Sequence, residues 1–164
     1  IELLKEAGFI EIVLPFESAN KRLIKKWASN KWDIENSDVT NLIKVCKDYG
    51  LRVAGNFMLG YPDETKEEVL YTVDYAKERM NDGLDAANFF LVMPLPGTPM
   101  FDQAIENNNL PKDFNPDKMH WQKANMINTI VSPKELEKIR DEAWTELNNT
   151  EFTKYKKDMN VKMF

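Results

Sequence analysis

The sequence predicts an α/β fold: a partial parallel (β/α) barrel followed by a C-terminal helix. Two observations carry this. Three short apolar runs, Phe9 to Phe16, Leu51 to Leu59 and Ala86 to Met93, are rich in Val, Ile, Leu or Phe and show no clean alternation, as expected of parallel strands covered on both faces. Helical patterns with proper ends stand between and after them, and that alternation implies right-handed βαβ crossovers.

The chain opens Ile1-Glu2-Leu3-Leu4-Lys5-Glu6-Ala7-Gly8, which has the character of the last turns of a helix stopped by Gly8. A start inside a helix is expected of an excised piece whose missing part lies upstream. After the first strand, Leu23, Ile24 and Trp27 mark a helix. Ser37 is placed to cap the next one, which carries Val39, Leu42, Ile43 and Cys46 on one face and ends at Gly50. Thr65 with Glu68 forms a capping box, and Val69, Val73, Ala76 and Met80 follow at helical spacing. Thr98-Pro99 has the form of an N-cap with proline at the first helical position, opening a short helix that ends near Asn107. Asn107 to Asn128 is a polar connection. Ser132, Pro133 and Glu135 then repeat the cap signals ahead of a stripe of Leu136, Ile139, Ala143 and Leu147. The Lys-rich tail beyond Thr150 has weak periodicity and is expected to fray. The expected division is residues 1–110 as three βα units and 111–164 as a loop with a helical extension.

The chain has 164 residues and is 43% apolar, enough for one core. Its net charge of -5 is spread along the chain with no basic stripe, which argues against a nucleic-acid partner. No apolar run approaches the ~20 residues of a membrane span, and no signal peptide opens the chain. A single cysteine, Cys46, excludes an internal disulfide and points to a reduced, cytoplasmic setting. An eight-fold barrel takes ~250 residues, so three units form only part of one. Their two raw sheet edges predict self-association.

In parallel α/β folds ligands lie at the carboxyl ends of the strands. The three strand exits here all finish in Pro, Gly and small polar residues. At the first, Glu17 can receive a ligand ammonium or ribose hydroxyls, with Ser18 and Asn20 adding weaker hydrogen bonds. The competing reading is that Ser18 caps the following helix while Glu17 faces solvent. At the second, Gly60-Tyr61-Pro62 combines close backbone approach with stiffness. Met58 either backs a flat aromatic base or is plain core, and Asp63 and Glu64 favour the next helix N-terminus. The third, Met93 to Pro99, holds three prolines and a glycine in seven residues. There the backbone of Val92 and Met93 can pair with an adenine edge, or the turn is a structural cap on the sheet. Cys46 is expected in the core. His120 beside Trp121 is expected at the surface, with a lid over the rim as an alternative. No Cys/His/Asp set has metal-ligand spacing, and neither a Ser-His-Asp arrangement nor a phosphate loop is evident.

Together, Phe16-Glu17-Ser18, Phe57 to Thr65 and Pro94 to Pro99 resemble the fourth, fifth and sixth strands of radical S-adenosylmethionine (SAM) enzymes. The likeness covers Leu3 to Gln103. It is strongest to the cobalamin-binding-type Fe-S oxidoreductases, relatives of the anaerobic magnesium-protoporphyrin cyclases and the methylthiotransferases. The resemblance implies the C-terminal half of a radical SAM TIM-like barrel. It further implies SAM and a [4Fe-4S] cluster as cofactors of the parent, with cobalamin where a cobalamin-binding half is present. The implied reaction is reductive cleavage of SAM to a 5′-deoxyadenosyl radical, which abstracts a substrate hydrogen. By position, Glu17 and Ser18 match the region that contacts the SAM ribose or amino acid moiety. Asn56, Met58 and Gly60 match the fifth-strand adenine motif, with Asn56 where a Gly and Met58 where an Ile is usual. Val92 and Met93 match the sixth-strand adenine contact.

The three-cysteine cluster motif and the early Gly-rich segment that grips the SAM amino group have no counterpart in the chain. The resemblance therefore assigns them to a missing N-terminal half. The chain alone is expected to be inactive and to bind SAM poorly, and the substrate is not legible. Two alternatives stand beside this. A portion of an ordinary TIM-barrel lyase or hydrolase would call for a Schiff-base lysine on a strand or a carboxylate pair, and neither is evident. A non-catalytic module would use its sheet edges to bind a partner. The radical SAM reading predicts that the coding sequence upstream of Ile1 specifies a CxxxCxxC-type segment. Sequencing that region checks it, and the two alternatives expect no such segment.

Overall fold

The computed structural model describes residues 1–31, 33, 37–148 and 154. Trp32 and, Lys154 apart, the tail beyond Thr150 lie outside the described residues. Three parallel strands, β1 (Glu11–Glu17), β2 (Arg52–Leu59) and β3 (Ala86–Leu91), form one sheet in the order β1-β2-β3. The helices are α1 (Glu2–Glu6), α2 (Lys21–Trp27), α3 (Val39–Asp48), α4 (Lys66–Asn81), α5 (Pro99–Glu106) and α6 (Pro133–Leu147), with a 3-10 turn at Pro116–Lys118. The α/β class and the parallel order agree with the sequence. Closure into a barrel is not a property of these three strands.

Local chemistry explains most boundaries. At α4 the Thr65 hydroxyl accepts from the Glu68 N–H while the Glu68 carboxylate accepts from the Thr65 N–H, a complete capping box. Thr98 and Ser132 cap α5 and α6, each with proline in the first turn. Two boundaries differ from the sequence reading. Asp38, not Ser37, caps α3, because its Oδ1 accepts from the Asn41 N–H at 3.0 Å. β1 begins at Glu11 rather than Phe9, since the α1 exit carries Phe9 and Ile10 across the surface, where both are exposed.

Alternation along the strands sorts side chains into two faces. Phe16, Phe57 and Phe89 stack in a row across all three strands, with centroids 5.0 and 5.4 Å apart. They belong to one core with Val39, Ile43 and Cys46 of α3, Val69, Val73 and Ala76 of α4, and Leu136 and Ala143 of α6. The other face carries Val13, Pro15, Asn56, Met58, Asn88 and Phe90, none of them fully buried, and Val13 is 47% exposed. Among the described residues the helices of the main core cover one face, so the expected cover on both faces is not seen there, and the runs look continuous because Ala54 and Ala86 are buried on the opposite face.

The two edges differ. β1 contains Pro15, which lacks an N–H and is tolerated at a sheet edge. The β3 edge is occupied by the chain's own extension. Asn148 donates to the Ala87 carbonyl at 2.6 Å and accepts from the Ala87 N–H at 3.0 Å, as a neighbouring strand would. Arg140 Nε donates to the Phe89 carbonyl at 3.1 Å, and the Leu91 N–H donates to the Trp121 carbonyl at 2.7 Å. The apolar stripe expected of α6 thus includes a buried arginine, because an edge carbonyl requires a donor. No helix among the described residues is long and apolar enough to cross a membrane.

Gly55 lies beneath the ring row. A Cβ there would come within 2.9 Å of ring carbons of both Phe16 and Phe57. Gly55→Ala is expected to destabilise the fold by about 1–3 kcal/mol through overpacking. Thermal denaturation checks this, with a lowered midpoint and unchanged far-UV dichroism expected at low temperature.

Candidate functional site

The carboxyl ends of the strands meet in one open cleft of about 320 Å³, lined by Glu17, Trp27, Lys31, Met58, Tyr61 and Met93, with Ala28, Ser29, Val92 and Met100 completing it. Each comes from a junction that the fold places on the same rim. A register irregularity between Pro15 and Glu17 ends β1, and Glu17 adopts φ 63°, a left-handed conformation unusual for a side chain of this size. Its carboxylate is thereby turned into the cleft, where Lys31 Nζ pairs with it at 2.6 Å. Strain of this kind persists only where the surroundings over-determine it. A second, smaller core of Leu23, Tyr61, Val92, Ala104 and Met126 supports the rim from beneath.

The turn after β2 is held from two sides. Gly60 has φ 88°, and a Cβ there would meet Leu136 of α6 at 3.0 Å. A side chain there would be strained by the left-handed backbone and crowded by α6. The Glu64 side chain, 1% exposed, folds back so that Oε2 accepts from the Gly60 N–H at 2.6 Å and the Tyr61 N–H at 3.1 Å. Oε1 has no hydrogen-bond partner among the described residues. Burial pushes the Glu64 carboxyl up to about 7, against the downward pull of those two N–H groups. Asp63 grips the outside. It accepts from Trp27 Nε1 at 2.8 Å, from Arg22 at 2.6 Å and from Lys26 at 3.0 Å. Burial raises its carboxyl, but these bonds outweigh that and hold it below its usual range. Arg22 also binds Glu68, so α2 is tied to both the turn and α4. Trp27 and Tyr61 consequently stack, 6.4 Å apart with planes 15° from parallel. Burial, with Glu17 and Glu64 nearby, keeps the Tyr61 hydroxyl protonated.

Of the residues singled out in the sequence, Glu17, Met58, Val92 and Met93 come together in the cleft. Ser18 does not. It is buried beside Thr72 of α4 and accepts from the Asn20 N–H, and Asn20, not Ser18, stands at the start of α2. Asn56 lies on the uncovered sheet face, where its Oδ1 accepts from Asn88 Nδ2 at 3.0 Å. The Val92 N–H is taken by the Leu59 carbonyl and the Val92 carbonyl receives Asn125 Nδ2. Among the described residues the Met93 N–H has no such backbone partner. His120 is exposed and stacks on Trp121, which packs against Phe90 and Arg140 at the β3 edge rather than over the cleft.

Sequence reasoning missed Trp27, Lys31, Tyr61 and Met100 as cleft residues and Glu64 as its internal brace. Two acids directly after Gly-Tyr-Pro were the available signal for Asp63 and Glu64. Lys31 lies beyond a helix end and carried none. Among the described residues no group of three His, Cys, Asp or Glu is placed to hold a metal, and the Cys46 thiol is buried.

No protein-family model matches the chain. It is similar to an uncharacterized methyltransferase of Pyrococcus horikoshii, 32% identical over 131 residues, which is 80% of this chain and 26% of that protein. It is also similar to the cytidylyl-2-hydroxyethylphosphonate methyltransferase of Streptomyces wedmorensis, 28% identical over 64% of this chain and 20% of that protein. A putative methylthiotransferase of Methanocaldococcus jannaschii is 28% identical over 70% of this chain and 24% of its own length. The chain thus spans about a quarter of the length of the curated relatives it matches.

The state of Glu64 sets a pH signature. Its folded-state value of about 7 lies above the ordinary 4.5. Between those limits the unfolded chain gives up the proton while the folded chain keeps it. The associated stability, on the order of 3 kcal/mol, is full below pH 4.5 and is lost as pH rises through 7. Glu64→Gln is expected to remove this component. Urea midpoints at pH 5 and 8 should differ less in the variant than in the wild type, and an identical difference would refute the assignment.

Proposed function

We propose that this chain, which has methyltransferases and a putative methylthiotransferase among its relatives, supplies the adenosyl-facing part of a radical SAM active site. The observation that carries the reading is the convergence of Glu17, Met58, Val92 and Met93 on one cleft at the carboxyl ends of three parallel strands. The lining suits that ligand. The Met58, Met93 and Met100 thioethers and the Trp27–Tyr61 pair offer soft, polarisable surface to a flat base. The Met93 N–H can reach a base edge. The Glu17 carboxylate can accept ribose hydroxyls or hold an ammonium, and Lys31 offers a cation to a ligand carboxylate once it leaves Glu17. SAM, once bound, supplies a reductively cleavable sulfonium.

The cluster does not fit this chain. The single cysteine is buried on the core face of α3, and no metal-holding group exists among the described residues. The chain's own residues therefore bind and orient, and the electron-donating cluster belongs to another part of the protein. That part, an N-terminal half, would join at the β1 edge, since the β3 edge is filled by Asn148, Arg140 and Trp121. In its absence the same β1 edge is where copies of the chain would associate. The relatives' names carry methyl and methylthio transfer, and we take transfer of such a group to a small-molecule or macromolecular acceptor in the cytoplasm as the parent's reaction class.

Titration of the chain with SAM, followed by calorimetry, tests the ligand assignment. Weak binding is expected, abolished in Glu17→Ala and preserved in Ser18→Ala, because only the former side chain faces the cleft. Binding that ignores Glu17 would contradict the reading.

A further inference from the structure

Glu64 is an expensive residue for a fold to keep. It is 1% exposed, and it faces no dedicated cation. Arg22, the nearest guanidinium acting on it, is committed to Asp63 and Glu68. The other ionisable groups acting around the turn, Glu68, Glu17 and the Tyr61 hydroxyl, provide no compensating positive charge. A buried carboxylate so placed carries a desolvation cost that an apolar side chain of similar size would not. What it supplies, and an apolar side chain cannot, is an acceptor for two consecutive N–H groups, those of Gly60 and Tyr61, at 2.6 and 3.1 Å.

Those two groups fix the direction in which the chain leaves β2. From there the Tyr61 ring reaches the cleft and stacks on Trp27, whose own N–H is fixed by Asp63. Leu136 of α6 closes the other side of Gly60 and prevents the turn from relaxing that way.

We infer that Glu64 is a positioning residue for the cleft. Its two hydrogen bonds preset the Tyr61 ring as a wall against the ligand's flat group, and any side-chain carbonyl at that place would serve. This rests on the adenosyl reading above for the identity of the ligand, and on the geometry alone for the position of the ring.

Two variants separate positioning from stability. Glu64→Gln keeps a carbonyl acceptor, and Glu64→Leu removes it while filling the space. Ring-to-ring nuclear Overhauser contacts between Tyr61 and Trp27, and SAM titration, are measured on both. The Gln variant is expected to keep the ring contact and to bind SAM within about twofold of wild type. The Leu variant is expected to melt lower, because two buried N–H groups lose their acceptor, and, at temperatures where it is folded, to lose the ring contact and bind SAM about tenfold more weakly, the size of one missing hydrogen bond. A Leu variant that keeps the ring contact overturns the inference whatever its affinity for SAM. Loss of the ring contact in a protein whose wild type ignores SAM leaves the positioning role intact and removes the ligand assignment. Should the Leu variant not fold, amide exchange decides. Gly60 and Tyr61 protected like the β2 core in wild type and Gln variant support the role, and rapid exchange at both overturns it.

Discussion

The two hydrogen bonds from Gly60 and Tyr61 to a buried carboxylate are the constraint on which the rest of the site depends. β2 is the central strand, and whatever leaves its carboxyl end must share space with the exits of β1 and β3. Glu64 fixes that exit from within, and Asp63 fixes it from outside by drawing in Arg22, Lys26 and Trp27. A short helix, α2, with no side-chain cap of its own is thereby held to the rim. The cleft wall is built from these ties and not from any single secondary-structure element.

The second constraint is the asymmetry of the sheet. One face and one edge are satisfied within the chain. The aromatic row across β1, β2 and β3 accounts for the face, and Asn148, Arg140 and Trp121 account for the edge. The opposite face carries the Asn56–Asn88 pair and exposed Val13. The rest of that face is apolar, with Pro15, Met58 and Phe90 beside the amide pair. An open edge is a hazard in an isolated domain, and among the described residues β1 is the outer strand with no further strand beside it.

Much of this was legible in the sequence, because it depended on short-range chemistry. Capping residues such as Thr65, Thr98 and Ser132 announced their helices, and short apolar runs between helices announced parallel strands. Convergence of Glu17, Met58, Val92 and Met93 followed from the rule that ligands gather at strand carboxyl ends. What escaped depended on long-range contacts. Ser18 has the composition of a site residue, yet Thr72, far along the chain, buries it. Gly60 has the composition of a ligand-approach glycine, yet the crowding comes from Leu136 of α6. Asn148 and Arg140 look like ordinary helix residues until β3 presents them with unpaired backbone groups. Trp27 and Lys31 reach the cleft only because Asp63 and Glu17 draw them there.

The central claim is that the cleft bounded by Glu17, Met58, Tyr61 and Met93 receives an adenosyl group. Intermolecular Overhauser contacts between the adenine protons of 5′-deoxyadenosine and methionine methyl groups test it without the cluster or the reaction. Contacts to Met58 and Met93, with none to Met126 in the underlying core, are the predicted result. Contacts confined to residues away from the strand exits, such as those of the 107–128 connection, would contradict it.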